Sequence, residues 1–243
     1  MAYDSHGSVG RTPLFLSHGF SASSGMWNPN LAALSADRQV VTWDLRGHGW
    51  SDSPDDIAAY SQAISVADMA AVLDACGVAR AVVGGLSLGG YLSLAFHLTH
   101  PERVAGLVLV DTGPGFTRDD ARRQWNERAD SVADSFLHTG LGALSDGPEA
   151  GTGPHNPTGL ALAARGILRQ ENAAVIGSLP SIGVPTLVVV GADDRPFLKA
   201  ADYMTDKIPG ARKTVIAHCG HVPNMENPSD FNAAVGAFLE EIG

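Results

Sequence analysis

Gly85-Leu86-Ser87-Leu88-Gly89 sets a serine between two glycines, where an apolar run at 79–83 gives way to helical spacing in Leu92, Ala95, Phe96 and Thr99. A strand that turns sharply into a helix at such a pentapeptide lifts the serine hydroxyl off the sheet end, because small flanking residues let the backbone double back. The helix that follows aims its N-terminus at the same place, where unpaired N–H groups and the dipole favour developing negative charge. Ser87 is therefore a candidate nucleophile. A hydroxyl attacks poorly until a base takes its proton, and the base needs a third group to fix its tautomer and balance its charge. Downstream, Gly191-Ala192-Asp193-Asp194 puts carboxylates just past the apolar run at 187–190, and His221 follows the next run. A serine, an acid and a histidine thus stand in chain order, the three parts that nucleophilic acyl transfer requires.

Six short apolar runs bounded by turn residues, at 13–17, 40–44, 80–84, 104–110, 186–191 and 213–217, alternate with stretches of helical spacing. This alternation predicts a parallel sheet covered by helices on both faces. Between the second and third runs, Ser65-Val66-Ala67-Asp68 reads as a capping box, Val66, Met69, Ala70 and Leu73 as one stripe, and Gly77 as the stop. A last helix is expected over 228–242 with Phe231, Val235 and Phe238 inward. The rhythm breaks after Gly113: a polar helical piece at 119–138 precedes a Gly- and Pro-rich stretch at 140–159 and further helical spacing at 160–171. An insertion of that length at the carboxyl end of a strand is expected to be a lid over a site. The expected organisation is a core of residues 1–112 and 181–243 with a lid at 113–180.

Further motifs accompany these pieces: His18-Gly19-Phe20 after the first run, Asp44-Leu45-Arg46-Gly47-His48-Gly49-Trp50-Ser51-Asp52, His100-Pro101-Glu102-Arg103-Val104 and Val184-Pro185-Thr186-Leu187. Together with the serine turn they resemble the α/β-hydrolase superfamily from about Pro13 to the last residue. The Asp44 segment is similar to the D-x-R-G-x-G-x-S stretch of esterase-like and C–C-hydrolase-like members. The resemblance implies an α/β-hydrolase fold with Ser87 as nucleophile, His221 as general base and Asp194 as the orienting acid, Gly191 setting the frame that selects Asp194 over Asp193. Asp111, which ends the run at 104–110, is the other candidate acid, since some members place it there. An oxyanion hole from the backbone N–H groups of Phe20 and Leu88 is implied as well. Members usually open with two antiparallel strands, whereas only about eleven residues precede Thr12, so the first strand should be missing and the second vestigial within residues 2–6. A sheet edge shortened in this way favours self-association into a homo-oligomer.

Other features bound the function by exclusion. A formal charge of −10 and the scarcity of adjacent basic residues, Arg122-Arg123 beside Asp119 and Asp120 and Arg212-Lys213, argue against a nucleic-acid surface. No run approaches a membrane span, and with no leader-like N-terminus and two cysteines, Cys76 and Cys219, the expected compartment is the cytoplasm. No His, Cys or carboxylate pair has metal-ligand spacing and no phosphate loop is evident, so the chemistry should need no cofactor and no metal. His18 should brace its loop, His48 should sit in a glycine turn, and His218 and Cys219 should pack.

The reaction expected from the resemblance is hydrolysis of carboxylic esters of small to medium hydrophobic small-molecule substrates through an acyl-enzyme on Ser87. Phe116, Trp125, Phe136, Leu137, Leu141 and Leu144 make the insertion apolar, and Trp27, Trp125 and Phe136 are candidate substrate contacts. The same three groups would serve C–C cleavage, lactone opening or perhydrolysis, with Arg123 or Arg165 holding a substrate carboxylate. A receptor that keeps the residues without turnover is a third reading.

Overall fold

The six apolar runs are all strands, and a seventh, β1 (Tyr3–His6), precedes them. The others are β2 (Arg11–Ser17), β3 (Arg38–Trp43), β4 (Ala81–Leu86), β5 (Val104–Val110), β6 (Thr186–Gly191) and β7 (Arg212–Ile216). They form one sheet in the order β1-β3-β2-β4-β5-β6-β7, in which β1 pairs antiparallel with β3 and every other pairing is parallel. The computed structural model describes residues 1–8, 10–144 and 146–243. The helices are α1 (Asn28–Leu34), α2 (Gln62–Ala75), α3 (Leu88–Thr99), α4 (Asp119–Thr139), α5 (Pro157–Ala163), α6 (Ala174–Ser178), α7 (Arg195–Lys207), α8 (Pro223–Glu226) and α9 (Pro228–Ile242).

Strand alternation splits the core in two. Leu14, Leu16 and Val82 join Trp27 of the turn before α1 and Phe231, Val235 and Phe238 of α9 on one face. Phe15 and Val83 join Met69 and Leu73 of α2 and Leu92 and Phe96 of α3 on the other. Neighbouring residues on a strand point to opposite faces, so a strand buried on both sides must be apolar throughout, as β4 and β5 are.

The register then aligns the strand ends. Ser17 pairs with Gly85, Leu86 with Val110, and Val110 with Val189, so the carboxyl ends of β2, β4, β5 and β6 lie side by side. Residues that follow those strands are therefore delivered to one edge of the sheet, where α/β folds carry their sites.

The edge strand β1 has four residues, and it is the piece of antiparallel sheet that precedes β2. The capping box expected at Ser65 lies elsewhere. Ser61 is the cap, its hydroxyl accepting from the Ile64 N–H at 3.1 Å, while Ser65 is buried one turn in and donates to the Ser61 carbonyl. Burying Val66, Met69 and Leu73 is worth roughly 1.5–3 kcal/mol each against about 1 kcal/mol for a cap, so the stripe fixes the helix face and the cap only its start. The helical spacing at 160–171 is also interrupted: α5 stops at Ala163 and continues as a single π-type turn, Ala164–Leu168.

Helix α3 crosses close above the sheet. A Cβ at Gly89 would stand 2.3 Å from the Ser17 carbonyl oxygen and 2.6 Å from that of His18, both backbone atoms with no side chain to swing aside. Gly89→Ala should cost about 1–3 kcal/mol. Urea unfolding should show a lower midpoint with an unchanged slope.

Candidate active site

Ser87 follows β4 with φ +53° and ψ −112°, a conformation that a non-glycine residue holds only when its surroundings impose it. They do so through three hydrogen bonds. Its N–H donates to the Val110 carbonyl at 2.9 Å, and its own carbonyl accepts from the Tyr91 N–H at 3.1 Å and from the Thr112 hydroxyl at 2.6 Å. Gly85 makes the fold-back feasible, since a Cβ there would lie 2.5 Å from the Gly89 carbonyl carbon. Thr112 carries no signal in the sequence pattern; it is found only because β5 ends beside the turn.

Two residues expected to work together are brought together. The His221 ring Nδ1 lies 2.6 Å from Asp194 Oδ2. Asp194 is buried at the start of α7, its neighbour Asp193 is exposed, and the His221 side chain is 38% exposed, open to a reacting partner. Phe197, one turn into α7, lies against the His221 ring at 4.9 Å and 34°. Glu226 of α8 holds the histidine loop from below, accepting from the Gly220 N–H at 2.7 Å and the Val222 N–H at 3.2 Å. Neither Phe197 nor Glu226 was singled out by spacing, although an acid five residues beyond the histidine is the signal that could have pointed to Glu226.

Asp111, the other candidate acid, sits after β5 with φ +38° and 1% exposure. Its Oδ1 accepts from the Gly191 N–H at 3.0 Å. Burial foremost, then the nearby carboxylates of Asp194 and Glu226, push its pKa up to about 9. Asp111, Asp194 and His221 each offer one ligand atom within 4.8 Å of the others, the one such trio found among the described residues. In this trio His221 and Asp194 are already engaged with each other.

Phe20 follows β2, with Gly19 so close that a Cβ built there would stand 3.6 Å from the Ser87 Cβ. The N–H of Leu88, first residue of α3, has no intrahelical acceptor, and neither it nor the Phe20 N–H donates to another group among the described residues. His18 braces this loop from beneath. Its ring bonds the Gly19 carbonyl through Nδ1 at 2.7 Å and accepts the Leu45 N–H on Nε2 at 3.0 Å, which places the proton on Nδ1. Burial holds the His18 pKa down and drives that of His48 to about 3, so both rings are neutral supports. His48 stacks against His18 at 5.1 Å and meets the Phe20 ring edge-on at 5.4 Å. Around them Asp44 accepts from the N–H groups of Ser24 and Trp50, and Arg46 forms a two-pronged pair with Asp68.

The three aromatic residues named as substrate contacts separate. Phe136 of α4 packs edge-on to Phe20 at 6.1 Å, beside the candidate oxyanion loop. Trp27 is fully buried against Phe231 at 6.2 Å, so its place is in the core. Trp125 braces the segment between β5 and β6, its ring near Phe116 and its Nε1–H donating to the Leu168 carbonyl at 2.8 Å. Leu137 and Leu141 face solvent, Arg165 pairs with Asp134, and Arg123 borders an outer cleft with Asp119, Glu127 and Arg169. Both cysteines are free, and no helix among the described residues is long and apolar enough to cross a membrane.

Comparison with known proteins agrees with the fold. The chain is similar to a thermophilic esterase from Thermogutta terrifontis, at 28% identity and a TM-score of 0.87 over 99% of this chain and 93% of that one. It is 30% identical to a protein of Caulobacter vibrioides whose name, carbamate hydrolase RutD, is provisional, over 98% of this chain and 94% of that protein. It is 26% identical to 3-oxoadipate enol-lactonase 1 of Acinetobacter baylyi over 94% of this chain and 89% of that enzyme. A family model described as "Alpha/beta hydrolase family" matches residues 14–234, and with its parallel sheet and strand-end serine the chain belongs to that family and is a hydrolase.

Proposed function

We propose that the protein is a serine hydrolase that cleaves carboxylic esters through an acyl-enzyme on Ser87. The observation that carries this reading is the 2.6 Å contact between His221 Nδ1 and Asp194 Oδ2 at the strand edge that also carries the Ser87 turn. With Nδ1–H donated to Asp194, the free Nε2 of His221 is the basic nitrogen. It takes the proton from the Ser87 hydroxyl as the oxygen attacks the ester carbonyl. The oxyanion that forms accepts from the N–H groups of Leu88 and Phe20, and the N-terminus of α3 adds its dipole. His221 then returns the proton to the leaving alcohol, and in the second half it activates the water that releases the acid. Phe197 against the ring and Glu226 beneath the loop keep the histidine from turning away between the two halves.

Lactone opening is the second reading, favoured by the likeness to an enol-lactonase, and it uses the same acyl chemistry on a cyclic ester. C–C cleavage has less support, because Arg165 is paired with Asp134 and Arg123 borders the outer cleft among acidic residues. Phe136 beside Phe20 favours substrates with an apolar group next to the ester.

Labelling with a fluorescent fluorophosphonate, followed by a chain-length series of p-nitrophenyl esters and a panel of lactones, tests the proposal. Labelling of wild type that vanishes in Ser87→Ala, with ester turnover, is the expected result. Folded wild-type protein that takes no label would sink it and favour the receptor reading.

A further inference from the structure

We propose that Asp111 is a positioning residue for the acid–base pair, a neutral carboxyl whose Oδ2–H hydrogen-bonds to the Asp194 carboxylate and holds it in line with His221. The inference rests on the role of His221 and Asp194 proposed above. Three observations of geometry lead to it. Asp111 is held in a left-handed conformation, φ +38°, by a backbone bond from its N–H to the Val189 carbonyl at 2.9 Å. Its Oδ1 is spoken for by the Gly191 N–H at 3.0 Å. Its Oδ2 is buried with no hydrogen-bond partner, and a carboxylate oxygen of Asp194 lies within 4.8 Å of an Asp111 oxygen.

Two ionised carboxylates have no proton to place between them. They repel each other, and a buried oxygen left unpaired costs the full desolvation of that atom. A single proton on Asp111 removes both penalties, turning Oδ2 into a donor aimed at Asp194. The proton belongs on Asp111 because Asp194 already has a partner in His221 Nδ1, whereas the Asp111 Oδ2 has none. The groups facing Asp111 agree with that assignment. Asp194 at the start of α7 and Glu226 of α8 are both acidic, and the Cys219 thiol, pushed up to about 11 chiefly by burial, is neutral. His221 completes the surroundings, with a ring nitrogen within 4.8 Å of an Asp111 oxygen.

The arrangement has a functional consequence. A donor on Asp194 fixes the orientation of that carboxylate and through it the His221 ring. Removing the donor should loosen the pair and slow turnover, whereas a filler of the same shape that still donates should not.

Two measurements test this on the full chain. In the first, kcat/KM for an ester is followed against pH in wild type, Asp111→Asn and Asp111→Ala. Alanine should lower the rate roughly 10- to 100-fold, as expected for loss of a hydrogen bond to a charged group. Asparagine, which keeps both an N–H donor and an oxygen acceptor, should rescue most of that loss and abolish the fall in rate expected of wild type as Asp111 ionises near pH 9. Asparagine as damaging as Asp194→Asn would overturn the proposal, because Asp111 would then work as an ionised acid.

The second needs no turnover, so it separates failure of this inference from failure of the hydrolase reading. Between the ordinary aspartate value of 3.8 and about 9, the folded protein holds a proton that the unfolded chain has released. Folding then binds more protons than unfolding, and this group's contribution to stability declines as pH rises through that window. The Tm of Asp111→Asn relative to wild type should therefore climb steadily from pH 4 to pH 9. A difference that stays flat with pH means that Asp111 is ionised in the fold, which overturns the proposal whatever the activity. Should the asparagine variant fail to fold, the wild-type rate must still fall near pH 9, and a rate level to pH 10 counts against the proposal.

Discussion

Replacing Ser87 with alanine should lower kcat for ester hydrolysis by roughly 10⁵- to 10⁶-fold while leaving the fold intact. The substitution removes the attacking oxygen and nothing that supports the backbone, because the turn is held by the Ser87 N–H, its carbonyl and the Thr112 hydroxyl, all of which survive. Unchanged near-UV circular dichroism and an unchanged Tm within 2 °C or so would establish that the loss is chemical. A second replacement, His221→Ala, should cost a similar factor alone and add little to Ser87→Ala, since a base without its nucleophile has no proton to take. Additive losses would mean that the two side chains act in separate steps and would break the mechanism. Residual turnover above the rate in water should persist in the single and double variants, because the N–H groups of Phe20 and Leu88 remain.

Much of this architecture can be read before any coordinates, and the reasons differ from place to place. The strands are legible because each is buried on both faces, which forces an unbroken apolar run such as 104–110 between turn residues. Helix α9 matches the expected span of 228–242, since Pro228 opens it and Phe231, Val235 and Phe238 recur at its inner face. The segment between β5 and β6 is different. Its short turns, Gly140–Ala143 and Pro148–Gly151, and the π-type turn after α5 answer to contacts with the core, among them Ser23 with Thr152, and no local period records such contacts. Ser61 against Ser65 shows the same limit on a smaller scale. Both serines suit a cap, and the choice between them falls to the packing of α2 against the sheet.

The candidate site divides along similar lines. Gly-x-Ser-x-Gly, a carboxylate after β6 and a histidine after β7 are readable because each is tied to the end of a strand, and strand ends are readable. The frame set by Gly191 points to Asp194 over Asp193, and burial separates the two in the same sense, with Asp194 enclosed and 2.6 Å from the ring and Asp193 exposed. Trp27 failed as a substrate contact for a related reason. An aromatic residue after a glycine-rich loop looks available, yet here the chain turns it inward to fill the space over Phe231. Phe197 against His221 and the carboxyl pair of Asp111 and Asp194 are products of tertiary approach between elements far apart in the chain, so no motif marks them, whereas Glu226 bonds its own loop and its spacing from the histidine is the one sign it leaves.

That separation of three neighbouring acids makes the second large prediction, a graded series of isosteric amides. Asp194→Asn should reduce kcat by about 10⁴-fold. The volume is conserved, but an amide can turn its N–H toward His221 Nδ1, which then accepts instead of donating. The ring proton moves to Nε2, the nitrogen that must be bare to receive the Ser87 proton, and the base is disabled while the geometry is kept. Asp111→Asn should cost far less, because a neutral donor replaces a neutral donor, and Asp193→Asn should leave the rate unaltered, since its side chain faces solvent. Asp194→Ala separates this account from simple electrostatics: both variants lose the charge, but only the amide offers a donor to Nδ1, so asparagine should be the more damaging of the two. Equal losses in the two variants would show that Asp194 acts by charge alone, and a loss greater for Asp111→Asn than for Asp194→Asn would transfer the orienting role to the end of β5.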